Sequence, residues 1–520
     1  MKWLLNTFIF ACTLSVQVAS AQMPSKVETV ASQASSAWQP KMVEQLLQAI
    51  EHADEEGLNP DNPRYHRIQI EALKDADTLT PDNAAQLNQA FMSLAHDLFY
   101  GFAYESEANS IYYENGKKSL NLSSILNTAL QQANIQDTLN QLIARHPYYQ
   151  NLKKALTHYR NLAEQGGWNT EPESYQDLNQ VRQRLMITGD YPSTPPEECQ
   201  DSSTASNEAI ESWCWELSPE DDLELEKAIK HFQRRHHLTV DGIVGKRTRN
   251  ALAESIEQKI ALIKINLERW RWYHALPERY VMVNIPGYCL KLVQKNRPDL
   301  NMKVVVGQEK RPTPMMEDSM RYLVLNPYWR IPKTILVEDI LPKLKKDPEY
   351  LKRNKISLFR QTDADERHLL NPDSVDWQSQ TQKSVLAYKF RQEPGELNPL
   401  GTIKFMFPNS EDIYIHDTSA QHLFKYRSLM YSSGCIRAEK PYQLAHQILD
   451  YEDAEISLPN LSERIVTGQR EVIWLTQPVP VFLTYQTAWA DKNGELHLHK
   501  DIYQYDDKLL SLLNKLEKPR

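Results

Sequence analysis

Two short stretches concentrate the residue types that nucleophilic chemistry needs. Asp412-Ile-Tyr-Ile-His-Asp-Thr418 sets a tyrosine and a histidine two residues apart, and Tyr431-Ser-Ser-Gly-Cys-Ile-Arg437 sets a cysteine directly after a glycine. Read as a strand, the first stretch alternates: Ile413 and Ile415 face a core, while Tyr414 and His416 share the opposite, solvent-side face. The second reads as a turn before a helix that Pro441 opens. Gly434 there lets backbone approach a ligand, and the N–H groups of Gly434 and Cys435 can converge on one oxyanion. A thiol so placed can be deprotonated by His416 and attack a carbonyl. Arg437 can hold a carboxylate or favour the thiolate. Each of these residues alone is more often structural, so it is their combination that argues for a site.

Stepping outward, the elements around these stretches read as β. Tyr280–Pro286, Tyr288–Val293, Lys303–Val306, Tyr322–Leu325, Thr402–Met406 and Ile413–Ile415 are short and rich in β-branched or aromatic residues, which predicts a sandwich or barrel-like domain over 278–485. It is interrupted by a helical, Lys-rich insertion over about 333–398, long enough to be a lid. Upstream, three- and four-residue apolar spacing in Met42-Val43-Leu46-Leu47-Ile50 and Leu87-Phe91-Leu94-Leu98 predicts a helical domain over 38–190, with Thr80-Pro81 as a helix start. A Pro-, Ser- and acid-rich linker or long loop follows over 191–217, then a compact helical unit over 218–257, a connecting helix over 258–277 and, after the β domain, a C-terminal extension over 486–520. The fold class is α+β multidomain.

With 520 residues, 41% hydrophobic and 24% charged, the chain can bury several cores and is neither fibrous nor a small disulfide scaffold. A net charge of −9 offers no field for phosphate backbones, so no nucleic acid is expected as partner. Residues 1–21, with Lys2, an apolar run and Ala19-Ser20-Ala21, read as a cleaved signal peptide, placing the mature chain outside the cytoplasm. An oxidising compartment makes Cys199–Cys214 the expected bridge, and Cys289, inside a strand-like run, is expected to be buried and inert. No metal and no other cofactor are expected, because His236-His237 and His497-x-His499 lack partners at ligand spacing.

The spacing from His416 through Ser432-Ser433-Gly434-Cys435 resembles the L,D-transpeptidase catalytic motif, with Ser433 where that family has a second His and Arg437 where it has an Asn. Ser-x-Gly-Cys-Ile-Arg resembles the long periplasmic Gram-negative branch. So do Asn266-Leu-Glu-Arg-Trp-Arg-Trp272, Val283-Asn-Ile-Pro286, Asn326-Pro-Tyr-Trp-Arg-Ile-Pro332, Asn398-Pro-Leu-Gly401 and the run from Pro478 to Trp489. Phe232-Gln233, Asp241-Gly-Ile-Val-Gly245 and Ala251-Leu252 resemble a type 1 peptidoglycan-binding domain, in which Phe232, Ile243, Val244 and Leu252 would be core. The resemblance implies a 3→3 cross-linking enzyme. Cys435 would attack the bond between diaminopimelate and D-Ala of a tetrapeptide stem, His416 would move the proton with its second nitrogen oriented by a carbonyl near Asp417, and a second stem would resolve the thioester. Tyr414, Trp329, Arg437 and Ser433 would contact substrate. Peptidoglycan stems as donor and acceptor, other wall-synthesis enzymes and covalent capture by carbapenems follow from the same resemblance. Trimming of stems, D-amino-acid exchange and lipoprotein attachment remain open within the family. A non-catalytic wall-binding protein is the reading from another class, although both His416 and Cys435 are present.

Overall fold

A computed structural model describes residues 38–516 apart from 75, 77, 104–119, 192–222, 274 and 452–457. The signal-peptide reading and the Cys199–Cys214 pairing lie outside the described residues.

The helical half forms as the apolar spacing dictates. Pro40–Glu51 buries Met42, Val43, Leu46, Leu47 and Ile50 against Leu87, Phe91 and Leu94 of Pro81–Phe99. That second helix starts at a reciprocal cap in which Thr80 Oγ1 accepts the Asn83 N–H and Asn83 Oδ1 accepts the Thr80 N–H. The unit expected over 218–257 is less separate than its composition suggests. Its helices Leu223–Arg235 and Lys246–Ala253 share one core with Tyr175, Val181, Leu185 and Tyr191 from beyond the linker. Phe232 and Leu252 are buried as expected, whereas Ile243 is 66% exposed, because the turn that carries it points outward.

Helix Ile256–Arg271 is the spine that joins the parts. Trp270 stacks on Tyr148 at 5.1 Å, and Arg269 Nη1 reaches Asp506 at 2.6 Å. Asn266 exchanges hydrogen bonds with Thr487 through Nδ2 at 3.0 Å and Oδ1 at 2.9 Å. Buried Glu268 accepts the N–H groups of Phe102 and Ala103 at 3.0 and 2.8 Å and pairs with Arg271 at 2.9 Å.

The β half is a closed barrel. Strands β1 (Arg279–Asn284), β2 (Cys289–Gln294), β3 (Leu300–Gly307), β4 (Met316–Leu325), β8 (Ile403–Met406), β9 (Ile415–His416), β11 (Ile436–Ala438) and β12 (Glu471–Thr484) pair in the order β3-β11-β9-β8-β4-β12-β1-β2, and β2 pairs back to β3. β10 (Met430–Ser432) also lies along β3. The segment Ser432–Cys435 therefore turns between two short strands rather than leading straight into a helix; the helix opened by Pro441 starts one strand later. Cys289, expected to be buried, is exposed at the first position of β2.

The insertion is not purely helical. Beside the helical run Lys333–Lys346 it holds a three-stranded sheet, β5 (Trp329–Arg330), β7 (Tyr388–Gln392) and β6 (Ile356–Arg360), over its own core of Leu336, Leu344, Leu351, Leu358, Trp377 and Phe390. Nor are residues 486–520 an appendage. The hairpin β13 (Ala488–Ala490) and β14 (Leu496–Leu498), and helix Tyr505–Leu516, bury Ala488, Leu496, Tyr503 and Leu509 in the main core. This hairpin gives His497 the partners that its spacing hid: ligand atoms of Asp491, Glu495 and His497 lie within 4.8 Å of one another, and His231 Nε2 meets Glu495 at 3.1 Å.

Removing Glu268 would leave two buried N–H groups and the Arg271 guanidinium without their shared acceptor. Glu268→Ala should cost about 3–5 kcal/mol in urea unfolding; a loss below about 1 kcal/mol would show that the spine does not hold the two halves together.

Candidate active site

The site is built by cross-strand register. β9 is only two residues long, yet it pairs on both sides: His416 lies opposite Lys404 of β8 and opposite Arg437 of β11. Residues opposite one another share a face, and so do residues two apart on a strand. Lys404, Tyr414, His416, Cys435 and Arg437 therefore fall on one face, while Ile415, Ile436 and Phe405 fill the barrel interior. The alternation read from the sequence is the one observed. Its solvent-side assignment is not: His416 is 4% and Tyr414 9% exposed, because the insertion closes over this face. The partly covered cavity, about 1130 Å³, is lined by Trp329, Tyr414, His416, Ser433, Gly434, Cys435 and Arg437, which brings every candidate residue together.

Gly434 sits at φ +112°, and a Cβ there would lie 3.1 Å from Ile413. Its N–H donates to Ser432 Oγ at 3.2 Å and its carbonyl accepts from Thr313 Oγ1 at 2.7 Å. The Gly434 N–H thus supports the turn rather than facing the cavity as expected, which leaves the Cys435 N–H from the expected pair. The Cys435 thiol donates to the Asp412 carbonyl at 3.8 Å.

His416 Nδ1 donates to the Asp417 carbonyl, which fixes the tautomer and leaves Nε2 with the lone pair. The Asp417 carboxylate is held in turn by the Thr402 N–H at 2.8 Å and the Thr402 hydroxyl at 2.9 Å. Burial, then Arg437 and Lys404 on either side, push the imidazole down to about 3, only partly offset by the Asp417 and Leu400 carbonyls. Burial pushes the Cys435 thiol up, against the pull of Tyr414, Lys404 and Arg437. The resting pair is a neutral thiol and a neutral imidazole.

Lys404 is the residue that the sequence did not reveal. Its Nζ lies 3.5 Å from the centre of the Tyr414 ring, and burial with Arg330 and Arg470 lowers it to about 8. Among the described residues neither Lys404 nor Arg437 makes an ion-pair contact, although the Asp412 carboxylate acts on Lys404 at longer range, and the Arg437 Nε is buried without a hydrogen bond. Two cations without an ion-pair partner beside the thiol suit an anionic ligand. The strand around Lys404 was legible; the register that aligns it with His416 is a long-range property.

With this geometry in place, comparison with known proteins is informative. Residues 278–501 match the L,D-transpeptidase catalytic domain of the YkuD family, 31–156 match a scaffold domain, and 220–252 match a "Putative peptidoglycan binding domain". A Haemophilus influenzae protein named "Putative L,D-transpeptidase" is 34% identical over 257 residues, 49% of each chain. The chain carries an L,D-transpeptidase catalytic domain. The match spans about half the length of that relative. In the L,D-transpeptidase domain defined this way, the residues lining the cavity lie between the two ends of the match except Tyr505, just past its end, and the hairpin β13–β14 falls inside it.

Replacing Lys404 by Met removes a cation that favours the thiolate, so the thiol moves further up. The pH at half-maximal iodoacetamide labelling of Cys435 should rise by about 1, with slower labelling at pH 8. An unchanged profile would show that Lys404 does not act on the thiol.

Proposed function

We propose that this chain is a periplasmic L,D-transpeptidase that forms 3→3 cross-links between peptidoglycan stems. The observation that carries the reading is the thiol–imidazole pair at the floor of a covered cavity of about 1130 Å³ inside an L,D-transpeptidase domain. That volume is at the upper end of small-ligand pockets and has room for two peptide segments meeting at one sulfur.

In the proposed reaction the donor's carbonyl between diaminopimelate and D-Ala lies against Cys435. The thiol proton passes to His416 Nε2 as sulfur attacks, and the oxyanion is met by the Cys435 N–H and the Tyr414 hydroxyl. His416 returns the proton to the leaving nitrogen, the C–N bond breaks and D-Ala departs, leaving a thioester. The side-chain amine of a second stem attacks that carbonyl, gives its proton to His416, and the C–S bond breaks with the proton restored to sulfur. Trp329 and Ser433 line the donor's path, and Arg437 with Lys404 takes a stem carboxylate. Exclusion of water by the insertion favours the amine acceptor over hydrolysis. The peptidoglycan-binding domain supports the wall as substrate.

The test is incubation of the purified chain with disaccharide-tetrapeptide. A dimer lighter than two monomers by one D-Ala is expected from the wild type and none from Cys435→Ala, with a single carbapenem adduct lost in the same variant. Trimmed tripeptide alone would make the enzyme an L,D-carboxypeptidase, exchange of D-Ala alone would make it an exchange enzyme, and no turnover with an intact fold would favour a wall-binding role. Each of these would overturn the cross-linking reading.

A further inference from the structure

The loop between β3 and β4 touches the nucleophile turn on one side and the insertion on the other. On the first side it is rigid. Thr313 Oγ1 donates to the Gly434 carbonyl at 2.7 Å and accepts the Gly307 N–H at 2.9 Å, while Tyr503 receives the Thr313 N–H at 3.2 Å and donates to the Gly307 carbonyl at 2.6 Å. The loop folds back so closely that a Cβ on Gly307 would lie 2.2 Å from the Arg311 carbonyl.

On the second side stands Arg311. Its Nε meets Glu338 Oε2 at 3.1 Å and its Nη2 meets the same oxygen at 2.5 Å, and it meets Asp339 through Nη1 at 2.7 Å and Nη2 at 3.2 Å. The same Nη1 donates to Ser433 Oγ at 2.9 Å. Consecutive residues of a regular helix point in different directions and do not normally share one guanidinium. Here Glu338 and Asp339 lie in a π-helical turn, Leu336–Ile340, whose wider winding lets both reach it. Among the described residues, all ion pairs between the barrel and the segment 333–398 run to Arg311.

We propose that Arg311 is a latch, a positioning residue that couples docking of the insertion to the position of the Ser433–Cys435 turn. With the insertion docked, two carboxylates fix the guanidinium and the guanidinium fixes Ser433. When the insertion lifts, Arg311 loses both acceptors to water and its hold on Ser433 slackens. The coupling is reciprocal: a group on Cys435 that displaces Ser433 pulls Arg311 from its carboxylates and favours the open insertion, which admits a second substrate. Glu338 and Asp339 are 54% and 41% exposed, so the latch is weak and sensitive to salt. Its use for acceptor entry rests on the proposed reaction, but its existence does not.

The experiment uses the whole chain and needs no peptidoglycan. Glu338→Gln with Asp339→Asn leaves Arg311 and the turn untouched. Hydrogen exchange over 333–346 should accelerate about tenfold, and iodoacetamide labelling of Cys435, followed by peptide mapping, should change at least about threefold in the same variant. About 0.5 M NaCl should reproduce both changes in the wild type and add little to the variant. In a Ser433→Ala background the labelling rate should no longer respond to the double substitution. Unchanged exchange would show that there is no latch, and a labelling response that persists without Ser433 would reduce it to access alone. A chain that passes these tests and still fails to cross-link would overturn the proposed function and leave the latch standing.

Discussion

Everything at the site depends on the register of one two-residue strand. β9 contributes Ile415 to the interior and His416 to the outer face, with Phe405 and Ile436 beside Ile415 and Lys404 and Arg437 beside His416. A slip of β9 by one residue would drive His416 into the barrel, away from Lys404 and Arg437, and turn Ile415 out of it. At about 1.5–3 kcal/mol for each buried aliphatic or aromatic side chain, before the cost of burying charge, the interior residues hold the functional ones in line. The face that carries the candidate residues is thus specified by what the opposite face buries.

The turn that carries Cys435 borrows its rigidity from distant sequence. Ser432 and Thr313 hold Gly434, and Tyr503 holds Thr313. Tyr503 is placed by Tyr485, whose hydroxyl accepts the Tyr503 N–H at 2.8 Å. The spine reaches the same region through Asn266 and Thr487. Residues beyond β12 are therefore part of the barrel's working structure, which gives a physical reason for the domain match to extend to residue 501.

Local patterns carried much of this into the sequence. Alternation in 413–416 separated the two faces, Thr80-Pro81 marked a helix start, and the glycine before Cys435 marked a turn at positive φ. What stayed hidden was what depends on partners far along the chain. Lys404 looked like one polar residue in a short strand until β8 paired with β9. His416 looked exposed because the cover comes from an insertion whose own sheet, β5-β7-β6, pairs segments tens of residues apart. Ile243 looked like core because the resemblance placed it there, but it sits in a turn that points outward; Cys289 looked buried because its strand does, but it is the first residue of β2, at the end of the ladder.

The electrostatics of the aligned row bear on how the reaction would be controlled. An imidazole held down to about 3 by burial and then by the cations on either side is a poor base, and the same cations only partly offset the burial that raises the thiol. Left alone, the pair stays neutral and the thiol unreactive. Under the proposed reaction the entering stem brings a carboxylate to Lys404 and Arg437. Offsetting one cation at roughly 5 Å with an effective dielectric of about 20 is worth about 3 kcal/mol, or about 2 pH units, to the imidazole. The substrate's charge would thereby strengthen the base as its carbonyl arrives at the sulfur, although burial goes on holding it below the ordinary imidazole range. A site with its cations already paired to carboxylates of the protein would have a stronger base at rest and no such dependence on what occupies it. Under the proposed reaction, the row of Lys404 and Arg437 would link substrate binding to base strength, while the insertion above it would keep water from competing for the acyl group.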